Sequence, residues 1–250
     1  METVSLTNKK EQKINHKKKN MLGIEHHEIT HPKVKINFIN EPGLNSPPFN
    51  SGLLSDIYRN IKHQLLKQMS SPFIMVTSAS DKEGKSLAAI NLTTSFSLDK
   101  DWNACLIDCS GNLKNCIQKL GVKPTKGLLD YLDSDEDSIN QYIFNTQYDS
   151  IKLLPHGNDH ALRFELLTSN KMKHLIYNLS KTLPNTIFII DSPSLTTAES
   201  QFLANQVDHI ILLIEQGGTA ISKIKSLINE VADNKIAGVL YNKASKISIT

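Results

Sequence analysis

The sequence predicts an α/β fold, a mainly parallel sheet with helices on both faces. Three observations carry that prediction. Strand-length apolar runs recur at residues 73–76, 104–108, 151–154, 187–191, 209–213 and 237–241, and near-continuous apolar strands are those that flanking helices cover on both sides. Segments with helical spacing lie between them, and alternation of strand and helix is the pattern of a parallel sheet. Finally, Gly84, Lys85 and Ser86 stand between the first run and the helix behind it, while two further runs end in acids, Asp108 and Asp191.

Taken in order, Leu54, Ile57, Ile61, Leu65 and Met69 recur at steps of three and four, which predicts an amphipathic helix ahead of the first strand. Phe73-Ile74-Met75-Val76 is that strand, and Ala89, Leu92 and Phe96 give the buried face of the next helix. Ala104-Cys105-Leu106-Ile107-Asp108 follows as a second strand with an acid at its C-terminal end. The acidic patch at residues 133–137 reads as a solvated loop rather than a metal site. After the strand at 151–154, Met172, Leu175, Ile176 and Leu179 keep helical spacing until Pro184 stops the run. The strand at 187–191 ends in Asp191-Ser192-Pro193, a further strand covers 209–213, and Ile221, Ile224, Leu227, Ile228 and Val231 predict a helix before the last strand at 237–241. No internal repeat is apparent.

In open sheets of this kind ligands bind beyond the C-terminal ends of the strands. Lys85 follows one such end and Asp108 and Asp191 close two others, so three strands nominate one site. In a strand-to-helix turn of this composition, successive backbone N–H groups and the positive helix end surround phosphates. Lys85 reaches the β and γ oxygens and Ser86 ligates Mg²⁺. Glycine suits position 84 because a side chain there would block the backbone's approach. The usual pattern has another glycine five residues earlier, where this chain has Ala79, and a bare Gly-Lys-Ser also arises by chance in surface turns. Asp191, after an apolar strand, fits an acid that holds the Mg²⁺ water shell, although such aspartates also serve as turn formers. Combined with Lys85 and Ser86, it points to a nucleoside triphosphate.

Of 250 residues 39% are hydrophobic, and the apolar positions concentrate after residue 50, enough for one core of about 200 residues. The expected organisation is a flexible basic arm over 1–50 and one domain over 51–250. The arm holds eight lysines against five glutamates, a surplus equal to the net +3 of the whole chain. Lysines 9 to 19 could draw the chain toward an anionic membrane face, each adding about 1 kcal/mol, or stand in a plain solvated tail. No arginine, and no aromatic residue before Phe38, lies in the arm, which argues against nucleic acid. No stretch approaches the roughly 18 apolar residues of a membrane span and no secretion signal opens the chain, so the expected location is the cytoplasm. Cys105, Cys109 and Cys116 are an odd number without paired metal spacing and read as free, reduced thiols.

From about Leu53 to Asn242 the chain resembles the bacterial tyrosine kinases of capsule and exopolysaccharide assembly, relatives of the deviant P-loop ATPases. The matching stretches are Asp56-Ile57-Tyr58-Arg59-Asn60-Ile61-Lys62, the loop Ser78 to Ser86, Cys105-Leu106-Ile107-Asp108, Gly127-Leu128-Leu129-Asp130-Tyr131-Leu132, Leu153-Leu154-Pro155-His156-Gly157, Glu165-Leu166-Leu167-Thr168-Ser169, Ile189-Ile190-Asp191-Ser192-Pro193 and Gly238-Val239-Leu240-Tyr241-Asn242. Ala79 is ordinary in that family, whose loop usually reads Ser-Ala-x-Pro-Gly-Glu-Gly-Lys-Ser. The resemblance implies that Ser80, Asp81, Lys82, Glu83, Gly84, Lys85 and Ser86 cradle ATP, that Ser86, Asp108 and Asp191 hold Mg²⁺, and that Asn242 sits beside the adenine. It also implies subunit contacts through Asp56, Arg59 and Lys62, whose spacing otherwise fits a solvated helix face, and a membrane polysaccharide-chain-length or export protein as partner.

The chain departs from the family at named positions. Asp108-Cys109-Ser110-Gly111-Asn112 replaces the family's Asp-x-Asp-x-Arg, so Ser110 brings no charge and Asn112 no fixed cation. Asp81 and Lys82 replace Pro-Gly, and residues 243–250 contain none of the six tyrosines, so the family's tail acceptor is not expected there. Three functions fit the sequence. One is an ATP-dependent tyrosine kinase in which Lys85 binds the transferred phosphate and Asp108 takes the proton. The second is a nucleotide-dependent regulator of a membrane polysaccharide complex. The third, a partitioning-type ATPase, fits less well because that group has a signature lysine where this chain has Ser80.

Overall fold

The computed structural model describes residues 31–37, 53–111, 116–231 and 235–243. Seven strands form one sheet: β1 (Phe73–Ser78), β2 (Asn103–Asp108), β3 (Phe144–Asn145), β4 (Ile151–Leu154), β5 (Thr186–Asp191), β6 (His209–Glu215) and β7 (Ile236–Asn242). Their spatial order is β3-β4-β2-β5-β1-β6-β7, and every pairing is parallel except that of β3 with β4. The mainly parallel sheet expected from the apolar runs is thus present, with a two-residue antiparallel edge added.

Successive strand residues point to opposite faces, and the two faces carry two separate cores. Ile74, Val76, Leu106, Ile189, Ile211 and Leu213 pack with Leu65 of α1 (Leu53–Gln68) and with Ala89, Leu92 and Phe96 of α2 (Lys85–Ser97). The short α3 (Cys116–Lys119) joins that side through Ile117. On the other face Met75, Cys105, Ile107, Phe188, Ile190 and Leu212 meet α4 (Leu128–Asp133), α5 (Arg163–Leu167), α6 (Asn170–Thr182), α7 (Ala198–Gln206) and α8 (Ile221–Glu230). Phe73 and Phe188 stack there at 4.6 Å between ring centroids.

Helix ends follow local chemistry. The Ser169 hydroxyl accepts from Met172 N at 3.1 Å and starts α6, and Thr197 caps α7 in the same way. Met69, read as the last turn of α1, lies one residue beyond it. The helix α7 escaped prediction because only Ser200, Leu203 and Ala204 are buried along it, too few for an apolar stripe.

Residues 31–37 qualify the arm expected over 1–50. Val34 N donates to Asn145 O at 2.9 Å, Asn145 N donates to Pro32 O at 2.8 Å, and Ile36 is buried beside the edge of the sheet. The Gln147 side chain closes the contact, accepting from Ile36 N and donating to Ile36 O. That stretch therefore belongs to the folded unit. The rest of the arm, Asn112 and the tail beyond Lys243 lie outside the described residues. No described helix is long and apolar enough to cross a membrane.

Candidate active site

The loop from Ala79 to Gly84 leaves β1 at the centre of the sheet and turns into α2. Lys82 and Gly84 both take positive φ, 64° and 100°, and this pair of left-handed residues makes the sharp reversal. A Cβ at position 84 would lie 2.2 Å from Asn242 Nδ2. That amide donates to Glu83 O at 2.8 Å, so the end of β7 is fastened over the loop.

Within the loop the side chains divide into two groups. Lys85 Nζ, nearly buried, donates to Ser78 Oγ at 2.9 Å and pairs with the exposed Asp81 carboxylate at 3.6 Å. Ser78 in turn donates to Ser80 O. Glu83 points the other way: its buried carboxylate accepts from Ser80 N at 2.9 Å and from Thr219 Oγ1 at 2.7 Å. Its side chain therefore holds the loop against the β6–α8 connection rather than facing a phosphate. Lys223 Nζ, from α8, donates to Ser80 Oγ at 3.1 Å.

The two strand-end acids meet across the sheet. Asp108 of β2 and Asp191 of β5 are direct register partners, and Asp191 is the partner of Val76 in β1 on its other side. Both are fully buried. Asp108 Oδ1 accepts from Ser110 N at 3.0 Å and from Ser110 Oγ at 2.9 Å, while Asp108 Oδ2 and both oxygens of Asp191 have no hydrogen-bond partner. Burial, followed by the charge of Asp191, pushes the Asp108 carboxyl well above its ordinary value. Burial also raises Asp191, against the lowering influence of the Ser86 and Cys116 side chains and of the Lys85 charge. Buried oxygens without partners are what a cation would satisfy, so Asp108 and Asp191, with Ser86 alongside, fit a divalent ion.

Two residues at this site were not legible in the sequence. Arg163 Nη2 donates to Ser110 O at 2.9 Å and to Cys109 O at 3.3 Å, bringing a guanidinium from α5 to the loop after β2. His156 lies behind the same loop, buried, with neither ring nitrogen hydrogen-bonded. Burial and the Arg163 charge push its imidazole down to about 4. The motifs quoted around them do meet: Leu128 N and Leu129 N donate to Pro155 O and His156 O, and any Cβ on Gly127 would lie 2.2 Å from Pro155 O.

Away from the loop, Asp56 and Arg59 pair with each other on the exposed face of α1 at 3.1 Å. Lys62 turns inward to Asp99 at the end of α2, also at 3.1 Å. The three do not form one cluster.

A glycine-lysine-serine turn after a central parallel strand, facing acids on the next two strands, defines the class: a P-loop α/β nucleotide-binding domain. No family model matches the sequence. Tyrosine-protein kinase YwqD of Bacillus subtilis (strain 168) is 30% identical over 206 residues, covering 78% of this chain and 84% of that protein. Tyrosine-protein kinase ptk of Acinetobacter johnsonii is 23% identical over 193 residues, which are 76% of this chain but 26% of that longer protein. Among solved structures, the kinase domain of Escherichia coli tyrosine kinase ETK shares the fold with a TM-score of 0.73 at 17% identity, over 89% of this chain and 91% of that one. The chain belongs to the bacterial tyrosine kinase family.

Proposed function

We propose that this protein binds Mg²⁺–ATP at the loop 80–86 and transfers the γ-phosphoryl group to tyrosine hydroxyls. The observation that supports the reading is the convergence of the Lys85 charge and the Ser86 side chain on Asp191, beside Asp108, with three buried carboxylate oxygens that meet no full hydrogen bond. Lys85 would exchange Ser78 and Asp81 for phosphate oxygens, and the backbone N–H groups around Gly84 would surround them. Ser86, Asp108 and Asp191 would hold Mg²⁺, which when bound neutralises charge on the phosphates. Asn242, fastened over Gly84, would border the adenine.

Asp108 is the group suited to accept the tyrosine proton. Ser110 holds one of its oxygens and leaves Oδ2 free, and burial raises its basicity in the metal-free site. As base, Asp108 would face Mg²⁺ through a bound water, so that Oδ2 stays open to the proton. Ser110 therefore orients the base through two hydrogen bonds where the family's second acid would add charge. Arg163 supports the same loop with the cation that position 112 does not provide.

Family membership supports a role in exopolysaccharide or capsule synthesis and export, at the inner face of the membrane beside a chain-length or export protein. It also supports self-association in which Asp56 and Arg59 face a second copy, with Lys62 bound within its own chain. The test is to incubate the purified protein with Mg²⁺–ATP and tyrosine-containing acceptors while following ADP release and phosphotyrosine, with Lys85→Ala alongside. Phosphotyrosine that depends on Lys85 is expected. Tight ATP binding without turnover would replace the kinase with a nucleotide-dependent regulator, and failure to bind nucleotide would overturn both.

A further inference from the structure

We propose that Asp108, Cys116 and Asp191 form a three-ligand site for a thiophilic divalent cation of the zinc class, able to fill without nucleotide. One potential ligand atom from each residue, a carboxylate oxygen, the Sγ and a carboxylate oxygen, all lie within 4.8 Å of one another. All three side chains are fully buried. Asp108 Oδ2 and both Asp191 oxygens meet no full hydrogen bond, although the Ser86 and Cys116 side chains lie against Asp191, and buried oxygens so under-satisfied suit a cation.

The donor set decides which cation. Mg²⁺ takes six oxygens in near-octahedral geometry and has no use for sulfur. One thiolate with two carboxylates suits zinc, which is four-coordinate with Zn–S of about 2.3 Å and Zn–O of about 2.0–2.2 Å. Three protein ligands leave its fourth position to water or a phosphate oxygen. Those bond lengths set ligand atoms about 3.3–3.8 Å apart in a tetrahedron, so a small closure of the cluster completes it. Cys116 reaches the acids from α3, which packs on the α2 face of the sheet. Cys105 and Cys109, equally buried, are not part of this cluster. On binding, the thiol gives its proton to solvent and ligates as thiolate, with no change of oxidation state. Because the cation would take the two acids that the proposed Mg²⁺ uses, the two metals exclude each other.

The experiment titrates the full-length, nucleotide-free protein with Co²⁺ and Cd²⁺ and follows the sulfur-to-metal charge-transfer absorption. One equivalent is expected to saturate the band, Zn²⁺ to displace it and millimolar Mg²⁺ to leave it. Cys116→Ser should abolish it and weaken Zn²⁺ binding by more than the roughly 10–100-fold that losing a ligand's supporting hydrogen bond causes. Cys109→Ala should retain the band, and far-ultraviolet circular dichroism establishes that each variant is folded. Asp191→Asn, which leaves every thiol in place, should lose one-to-one binding. A band that survives Cys116→Ser, or unchanged Zn²⁺ affinity in that variant, would overturn the proposal. So would the lack of any band in the unaltered protein. No nucleotide is present, so failure of the kinase reading would not affect the result.

Discussion

Replacing Gly84 by alanine tests the geometry of the loop most directly, because the structure separates the effect into two parts. Gly84 sits at φ 100°, and an L-residue held in the left-handed region costs about 1–2 kcal/mol. The new methyl would lie 2.2 Å from Asn242 Nδ2, so the amide must leave and forfeit its 2.8 Å bond to Glu83 O. That bond contributes about 0.5–1.5 kcal/mol. Gly84→Ala should therefore destabilise the protein by about 2–3 kcal/mol, and Asn242→Ala by about 1 kcal/mol. With Asn242 already truncated, the methyl meets only Leu213 Cδ2 at an ordinary 3.9 Å and the backbone part remains. The double variant should thus fall short of the sum of the singles by about 1 kcal/mol. Urea unfolding of the four proteins, followed by Trp102 fluorescence, measures this. Additivity within about 0.5 kcal/mol would refute the argument that Asn242 is pressed onto the loop.

Three further outcomes follow from buried charge near the site. Asp191→Asn should raise the melting temperature of metal-free protein at pH 8: burial raises the folded carboxyl's pKa, so its charged form weakens the fold at high pH. The gain should shrink as the pH falls below about 6, where the folded acid takes up its proton, and vanish below 3.8, where the unfolded one does too; Mg²⁺-dependent nucleotide binding should be lost throughout. His156 has the opposite sign. Its folded pKa of about 4 lies below the ordinary 6.5, so stability is full above pH 6.5 and declines as the pH falls toward 4. The decline amounts to about 3 kcal/mol at most, and the difference between wild type and His156→Gln should isolate it from the two acids; a difference flat in pH would contradict it. Arg163→Ala removes the guanidinium from the carbonyls of Cys109 and Ser110 and should cost about 1.5–3 kcal/mol in chemical unfolding. Both bonds leave one nitrogen, Nη2, so Arg163→Lys should recover whatever part of that its shorter side chain can still reach.

The parts of this fold that were legible are those where one stretch of sequence decides its own burial. Five parallel strands, β1, β2, β4, β5 and β6, are buried on both faces and their apolar runs say so, while β7 is half exposed at the edge. The edge strand β3 has two residues and no run, and besides β4 it meets the 32–34 stretch, more than 100 residues away. No local period encodes such a pairing. The site divides along the same line. Gly84, Lys85, Ser86, Asp108 and Asp191 stand at strand ends that a parallel sheet brings together, so their meeting could be inferred from order alone. Arg163 and Cys116 arrive on short helices of five and four residues, which give no periodic signal, so nothing local in the sequence places them. The loop motif also concealed a division of labour. Glu83 and Lys85 are two positions apart, yet one is turned to Thr219 and the other to Ser78.

The site also explains why the fold tolerates two adjacent buried acids. Removing a carboxylate from water without a partner is strongly unfavourable, and Asp108 and Asp191 face each other across neighbouring strands, which adds repulsion. Only Asp108 Oδ1 has full hydrogen bonds, from Ser110, while Asp191 is eased in part by the Ser86 and Cys116 side chains and by the Lys85 charge. The Lys85 ammonium itself rests on Ser78 and on Asp81, whose side chain is 75% exposed. An ion pair with so exposed a partner is worth little in water. Lys85 could therefore be given up to a phosphate at small cost, leaving the two acids for a divalent cation. The stability withheld at Asp108 and Asp191 would become binding free energy on such binding, so metal should raise the protein's melting temperature even without nucleotide.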